Sequence, residues 1–368
     1  MAGARIIVGI SGGVDSAVAA LELIERGYAV EGVFMKNWDD PEDPGHCPID
    51  RDLEAAEAVC AHLGIPLRRV EFTAEYWNRV FEHFLAEHAA GRTPNPDILC
   101  NSEIKFRAFL EHALELGAEA IATGHYARVV ADGTGGYRLL RGADPAKDQS
   151  YFLHAIDPRA LARTLFPLGE HSKTDVRARA RAAGLPNHDR PDSTGICFIG
   201  ERRFGEFLST YLPARPGRME TPTGQDIGAH TGLMHYTIGQ RQGLGIGGGY
   251  GADGRPWYVL AKDTTRNVLV VGQGHDHPWL HAPALETEPV HWLGDAPALP
   301  LDCAAQVRYR QRPLPCRVEP VGAGLRVTFD RQVRAITPGQ SAVFYAGDHC
   351  LGGAVIHRAI HDTAAMLA

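Results

Sequence analysis

The sequence predicts an α/β protein: a doubly wound parallel sheet followed by two smaller β-rich domains, the last of them a β-barrel. Three observations lead there. Residues 5–127 alternate strand and helix patterns, the βαβα rhythm of a parallel sheet covered on both faces. After Arg203 long helical patterns stop and Gly and Pro become frequent. Residues 280–360 then read as short strands at regular spacing, the pattern of a small barrel or sandwich. The implied domains are 1–203, 204–278 and 279–368.

Taken in order, Arg5–Ile10 (RIIVGI) is a short apolar strand. Asp15–Arg26 has helical spacing and stops at Gly27, a residue suited to the left-handed position after a helix. Ala29–Met35 is a strand, Asp50–Leu63 a helix closed by Gly64, and Leu67–Phe72 a strand. Thr73–Ala90 and Ser102–Leu116 are helical, and Ala118–Thr123 is a buried strand. Between those helices Gly91–Asn101 (GRTPNPDILCN) fits neither period and reads as an ordered loop, as does Asn187–Gly200. Lys173–Ala183 is a helix with Ser172 as its cap. Residues 217–274 read as short strands and glycine turns, with His275–His277 as a turn between strands. Ligands on a parallel sheet of this kind bind at the carboxyl ends of the strands.

Composition narrows the function. The chain has 368 residues, 44% hydrophobic and 22% charged, which excludes disorder and a coiled coil as whole-chain descriptions. No apolar run is long enough to span a membrane, and Met1–Arg5 leads straight into a strand with no room for a targeting peptide, so a cytoplasmic protein is expected. Net charge is −7; residues 1–203 hold 23 basic and 30 acidic side chains and the rest 14 of each. A nonspecific nucleic-acid binder would be basic overall, so any nucleic acid must be held by local patches. Seven cysteines at irregular spacing, with no CxxC pair, give no disulfide framework and no zinc or iron–sulfur signature.

The chemistry concentrates in three places. Gly9-Ile10-Ser11-Gly12-Gly13-Val14-Asp15-Ser16 lies between the first strand and the first helix. Its glycines allow close backbone approach, and the following helix aims free N–H groups and a positive dipole end at the loop, a cradle for an anion with several oxygens. No lysine follows the glycines, so the loop is not a Walker A motif. Asp15 beside phosphates would be repulsive without a cation, so Mg²⁺ at Asp15 is expected, although a helix N-terminus also favours an aspartate. Met35 and Gly124, at the ends of the second and fourth strands, lie where adenine and ribose should sit. Cys100, in Asn95-Pro96-Asp97-Ile98-Leu99-Cys100-Asn101, stands just before a predicted helix start, which lowers a thiol's pKa. Cys197, in Asp192–Gly200 (DSTGICFIG), is likewise in a polar loop. Cys60, Cys303, Cys316 and Cys350 lie on apolar faces or in strand-like runs and read as core thiols, and Cys47 leans the same way.

SGGVDS resembles the pyrophosphate-binding loop of the N-type ATP pyrophosphatases. With NPDILCN and TGICFIG behind it, the chain is similar over nearly its whole length to the tRNA-specific 2-thiouridylases. Further matching strings are Ile104–Phe106, Ala122–Ala127, Lys147–Leu153, Tyr236–Arg241, Arg308–Gln311 and Thr337–Gln340. Gln242 departs from the pattern, where a lysine would follow GQR. The resemblance implies a sheet of the ATP-pyrophosphatase type and an ATP-dependent sulfurtransferase. In such an enzyme the C2 oxygen of the wobble uridine, position 34, is adenylated and replaced by sulfur. It implies Cys100 as nucleophile and Cys197 as persulfide carrier. Cys100 attacks either the persulfide, leaving a Cys100–Cys197 disulfide, or C2 itself. Asp97 is a candidate general acid/base, its bland alternative being a turn-stabilising Asp after Pro96. ATP and Mg²⁺ are the expected cofactors. A flipped-out anticodon base is the expected substrate, a persulfide-donating protein the expected partner, and a monomer the expected state without tRNA.

Carried over as tRNA contacts are Asn95, Pro96, Asp97, His125, Lys147, Asp148, Gln149, Arg308, Tyr309 and Gln340. Val307–Arg312 also reads as a strand with Arg308, Arg310 and Arg312 in a row on one face, or, more blandly, as a charged edge strand. Two other readings stay open: a pyrophosphate-loop enzyme acting on a small molecule, which needs no cysteine pair, and a nucleic-acid-binding module that only holds ATP.

Overall fold

A computed structural model describes residues 3–38, 48–192, 204–247 and 254–362. Strands β1 (Arg5–Gly9), β2 (Ala29–Lys36), β3 (Leu67–Glu71) and β4 (Ala120–Ala122) are parallel; β1, β2 and β4 carry apolar runs of the sequence, and β3, at the sheet edge, reads LRRVE. Then β5 (Ala127–Ala131) and β6 (Tyr137–Arg141) form a hairpin, and β7 (Thr164–Leu165) joins the parallel sheet beside β4. The order is β3-β2-β1-β4-β7, so the chain reverses direction across the sheet between β1 and β4. The crevice outside their carboxyl ends is where a ligand fits. Ile7 and Val8 of β1 are fully buried between the covering helices, which fixes the sheet's centre. Those helices are Val14–Glu25, Pro48–Leu63 and Lys173–Ala182 with two longer composite ones. Ser172 and Asp175 close a capping box on the last, a device that contributes about 1 kcal/mol.

Both composite helices contain a π-helical stretch, Trp77–Phe81 in 73–89 and Cys100–Ala108 in 96–115. The second corrects the sequence reading. Gly91–Asn101 is not loop throughout: the helix starts at Pro96, with Asn95 Oδ1 accepting from the Asp97 N–H at 3.1 Å. Proline at the first helical position costs no hydrogen bond, and asparagine is a good cap, so the local chemistry favours this start. Cys100 therefore sits inside the helix, where the π stretch begins, and is only 3% exposed.

The middle region is a four-stranded sheet of β8 (Gly217–Glu220), β9 (Asp226–His230), β10 (Trp257–Asp263) and β11 (Val268–Gln273), in the order β10-β11-β8-β9. The last region holds β12 (His281–Thr287), β13 (His291–Trp292), β14 (Leu301–Gln306), β15 (Leu314–Val321), β16 (Gly324–Arg334), β17 (Ser341–Ala346) and β18 (His349–Ile360). Pairing runs β12-β16-β15-β14-β17-β18 and closes through β12 with β18, which removes the sheet edges. The β5–β6 hairpin extends this barrel sheet, with Leu140 and Leu139 registered against His349 and Cys350. Cys303 and Cys316 face each other across β14 and β15 on the inner face, and Cys60 and Cys350 are buried, so these four sit where core thiols were expected.

One predicted strand is absent. Residues 307–312 form the turn between β14 and β15, with Arg310 at φ 65° and the Gln311 N–H donating to the Arg308 carbonyl at 3.1 Å. Gln306 Nε2 donates to the same carbonyl at 3.1 Å, and Gln311 Oε1 accepts from the Val307 N–H. Glutamine side chains thus satisfy backbone groups that a ladder would have used, and the alternating arginines do not share a sheet face.

Candidate nucleotide and thiol site

The loop after β1 folds as a cradle because its side chains bond inward. Ser16 Oγ donates to the Gly13 carbonyl at 3.0 Å and accepts from the Ser11 N–H at 3.2 Å. Gly12 has φ 76°, and a Cβ there would clash with the Asp52 carbonyl. Its own carbonyl accepts from Asn187 Nδ2 at 2.8 Å and from the Arg190 guanidinium at 3.2 Å, and Arg190 also pairs with Asp52. At the end of β4, Gly124 lies so close that a Cβ would stand 2.7 Å from the Asp15 carbonyl carbon and 2.8 Å from the Ser16 nitrogen. Met35, half-buried at the end of β2, places its terminal methyl 3.1 Å from where a Gly9 Cβ would be. Glycine loop, helix start and both strand ends therefore converge at the switch point, and these residues fit a nucleotide polyphosphate.

Asp15 has partners the sequence did not suggest. Both of its oxygens accept from Lys173 Nζ, at 2.7 and 2.8 Å, and Tyr126 donates its hydroxyl to Oδ1 at 2.8 Å. Burial, then the Asp15 charge, pushes the Tyr126 phenol well above its ordinary range, so it stays a donor. Lys173 also pairs with Asp192 Oδ1 at 2.8 Å, and Lys147 and Arg177 reach the same carboxylate at 2.7 Å each. Burial alone would raise the Asp192 carboxyl; the hydrogen bonds from Lys147 and Lys173 outweigh it and hold it far below the usual carboxylate range. No cluster of three His, Cys, Asp or Glu side chains able to hold a metal exists among the described residues. Asp15, the residue expected to hold Mg²⁺, faces the Lys173 ammonium, which it shares with Asp192; a Mg²⁺ here would rest on these carboxylates together with the nucleotide's phosphates, the usual mode for this ion.

The Cys100 helix adjoins this cradle through His125. The His125 ring packs against Phe106 of that helix at 5.6 Å and Phe166 at 5.8 Å, with Nδ1 2.7 Å from the Thr123 hydroxyl. Burial, then the nearby Lys105 charge, holds its imidazole well below the ordinary value, hence neutral. Burial also pushes the Asp97 carboxyl up, against the opposing pull of Lys105. A carboxyl that keeps its proton to higher pH suits a general acid. Because the folded state binds this proton more tightly, stability should fall as pH rises from the ordinary carboxylate pKa towards the raised one. Urea unfolding across that range should show the slope in the wild type and its loss in Asp97→Asn.

The remaining expected tRNA contacts separate. Arg308 is exposed at the tip of the β14–β15 turn, and Tyr309 packs on Phe152 at 4.3 Å. Lys147 is engaged by Asp192. Asp148 is buried, accepting from Arg141 Nε, the Gly142 and Ser150 N–H groups and the Ser150 hydroxyl. Gln149 Oε1 accepts from the Tyr126 N–H at 3.0 Å. Gln340 Nε2 donates to the Thr93 carbonyl at 2.8 Å. The buried His125 and Asp148 side chains thus have internal partners. Cys197 and Cys47 lie outside the described residues.

The layered α/β sheet with a glycine cradle at its switch point, carrying a four-stranded sheet and a closed barrel, defines a nucleotide-binding enzyme class. Family comparisons agree by region. Residues 4–201 match the tRNA methyl transferase HUP domain, 205–273 the tRNA methyl transferase PRC-barrel domain and 283–356 the aminomethyltransferase beta-barrel domain. The tRNA-specific 2-thiouridylase of Stutzerimonas stutzeri is 58% identical over 356 residues, 96% of this chain and 95% of its own length. That of Marinobacter nauticus is 56% identical over 98% of this chain and 93% of its own. A solved 4-thiouridine synthetase–RNA complex with bound ATP is a remote neighbour, with 19% identity and a TM-score of 0.33 over 57% of this chain and 50% of that one. The chain belongs to the tRNA-specific 2-thiouridylase family of sulfurtransferases.

Proposed function

We propose that this enzyme replaces the C2 oxygen of the wobble uridine of tRNA, position 34, with sulfur, using ATP to turn that oxygen into a leaving group. A ring carbonyl oxygen departs poorly, whereas an adenylated one leaves as AMP. The sulfur comes as a Cys197 persulfide, loaded by a donor protein. Cys100 attacks that persulfide and releases sulfur to C2, the two thiols end as a disulfide, and a reductant reopens it. Asp97 supplies or takes a proton. Arg308 and Tyr309 contact the tRNA, and Asn95 and Pro96 shape the approach to the base. The enzyme acts in the cytoplasm, as a monomer when free of tRNA; no helix among the described residues is long and apolar enough to cross a membrane.

The observation that carries this reading is the chain of contacts from cradle to thiol helix: Asp15 and Ser16 against Gly124, and the adjacent His125 against Phe106 on the helix of Cys100. Chain length supports a role for Cys197. It follows Asp192 by five residues, at most about 18 Å of extended chain, and Asp192 shares Lys173 with Asp15.

Lys173 is the proposed ligand for the phosphates, beside the carboxylate at which Mg²⁺ is expected. Lys173→Met should lower AMP formation by about a hundredfold, the order lost when one charge-stabilising donor is removed. Lys147→Met should cost less, since two other cations face Asp192. The deciding experiment incubates the enzyme with ATP, a persulfide-bearing sulfur donor, a thiol reductant and unmodified tRNA. Mass spectrometry should find one oxygen exchanged for sulfur at a single anticodon uridine. AMP without sulfur incorporation would favour a different acceptor chemistry.

A further inference from the structure

Thr93 belongs to the chain between the helix ending at Ala89 and the helix of Cys100. Its polar atoms are held by the other two regions of the protein. The Thr93 N–H donates to the Pro338 carbonyl at 3.0 Å, and its own carbonyl accepts from Gln340 Nε2 at 2.8 Å. Its hydroxyl lies 3.5 Å from the Thr237 hydroxyl and 3.5 Å from Lys262 Nζ. Pro338 and Gln340 come from the barrel, and Thr237 and Lys262 from the middle region. The residues before it are tied in the same way. Arg92 pairs with Glu288 of the barrel region at 3.0 Å, and a Cβ on Gly91 would stand 2.5 Å from Thr264 Cγ2 of the middle region. The two β-rich regions also meet each other, with Arg334 over the Tyr258 ring at 5.1 Å.

Little slack separates this point from the thiol. Asn95 caps the Cys100 helix two residues later, and Pro96 fixes its first φ. Gly339 makes the approach feasible: its φ is +90°, and a Cβ there would stand 2.8–3.0 Å from the Thr93 N, C and O atoms.

We propose that Thr93 is the junction at which both β-rich domains set the position of the Cys100 helix, and that Gly339 and Gln340 are positioning residues acting through its backbone. This rests on the reading of Cys100 as a reacting thiol. It gives Gln340 a different task from the tRNA contact expected of it. A domain that takes hold of RNA would thereby be coupled mechanically to the thiol, because Arg92 and Thr93, both held by the barrel, stand just before the Asn95 cap of the Cys100 helix.

Two variants test this. Gly339→Ala should lower kcat at saturating tRNA by about a hundredfold, the loss expected for a displacement on the order of 1 Å, while tRNA Kd by fluorescence anisotropy changes less than about twofold. Gln340→Ala, which removes one hydrogen bond and adds no atoms, should lower kcat by about tenfold at unchanged Kd. A raised Kd for Gln340→Ala with full kcat would make Gln340 a direct RNA contact and overturn the assignment. Unchanged kcat in both variants would overturn it as well. The second readout needs no turnover: peptide-mapped alkylation of Cys100 by iodoacetamide should rise several-fold in Gly339→Ala. Wild-type enzyme that transfers no sulfur would defeat the thiolation reading, and the alkylation rates would still decide the junction. A Gly339→Ala protein that does not fold leaves Gln340→Ala, by kcat and alkylation together, as the deciding variant.

Discussion

Cys197→Ser is expected to abolish sulfur incorporation into tRNA while AMP release from ATP continues. Serine fills nearly the same volume but cannot carry a sulfane sulfur, so the variant removes one chemical capacity and leaves the cradle intact. Removing a nucleophile outright lowers turnover by at least about a thousandfold. Cys100→Ser should fall as far if Cys100 is the thiol that releases the sulfur. The two variants differ in one measurable respect. Cys100→Ser should still accept sulfur from the donor and accumulate a Cys197 persulfide, detectable by mass, whereas Cys197→Ser should not. Cys303→Ser is the control, because that half-buried thiol faces Cys316 across β14 and β15 of the barrel, away from the glycine cradle in the parallel sheet. Full activity in Cys197→Ser would eliminate the persulfide.

Gly124→Ala is expected to disable the nucleotide step more thoroughly than its size suggests. The added methyl would enter 2.7 Å from one backbone atom and 2.8 Å from another, both at the start of the Val14–Glu25 helix. Backbone cannot swing away as a side-chain tip can, so the helix start and the Ser11–Ser16 loop must move. A shift of about 1 Å at a phosphate cradle costs on the order of a hundredfold. AMP formation should fall by that order, with tRNA affinity preserved, because the Arg308 turn lies in the barrel region. Equal loss of both would mean that the substitution unfolds the domain, which circular dichroism would reveal.

Much of this architecture can be read from local patterns. The apolar runs at 5–10, 29–35 and 118–123 mark the three central strands of the parallel sheet, because burial on both faces demands continuous hydrophobicity, whereas the edge strand β3 is largely exposed and carries Arg68, Arg69 and Glu71. SGGVDS is legible because its chemistry is contiguous. Lys173, Asn187, Arg190 and Lys105 are not, since each gains meaning from a partner far away in sequence, and a lysine at a helix start looks like any solvated charge. The start of the Cys100 helix was legible in principle. Asn95-Pro96 is a cap followed by a proline at the first helical position, but the density of Pro and Asn reads first as loop. The β5–β6 hairpin had its signal too, in Asp132-Gly133-Thr134-Gly135-Gly136 between two apolar runs. The row of arginines at 308–312 misleads because alternation is a strand signal only where the backbone ladder continues, and the flanking glutamines end it.

That hairpin limits how the molecule can be cut. Strand β6 takes its outer hydrogen bonds from β18, which lies more than two hundred residues further along the chain. A fragment ending before His281 would be born with a naked ribbon of backbone donors and acceptors, flanked by the exposed Val130 and Tyr137 side chains. Such a fragment should dimerise or precipitate through that ribbon, so the nucleotide-binding half is poorly suited to life as an independent protein.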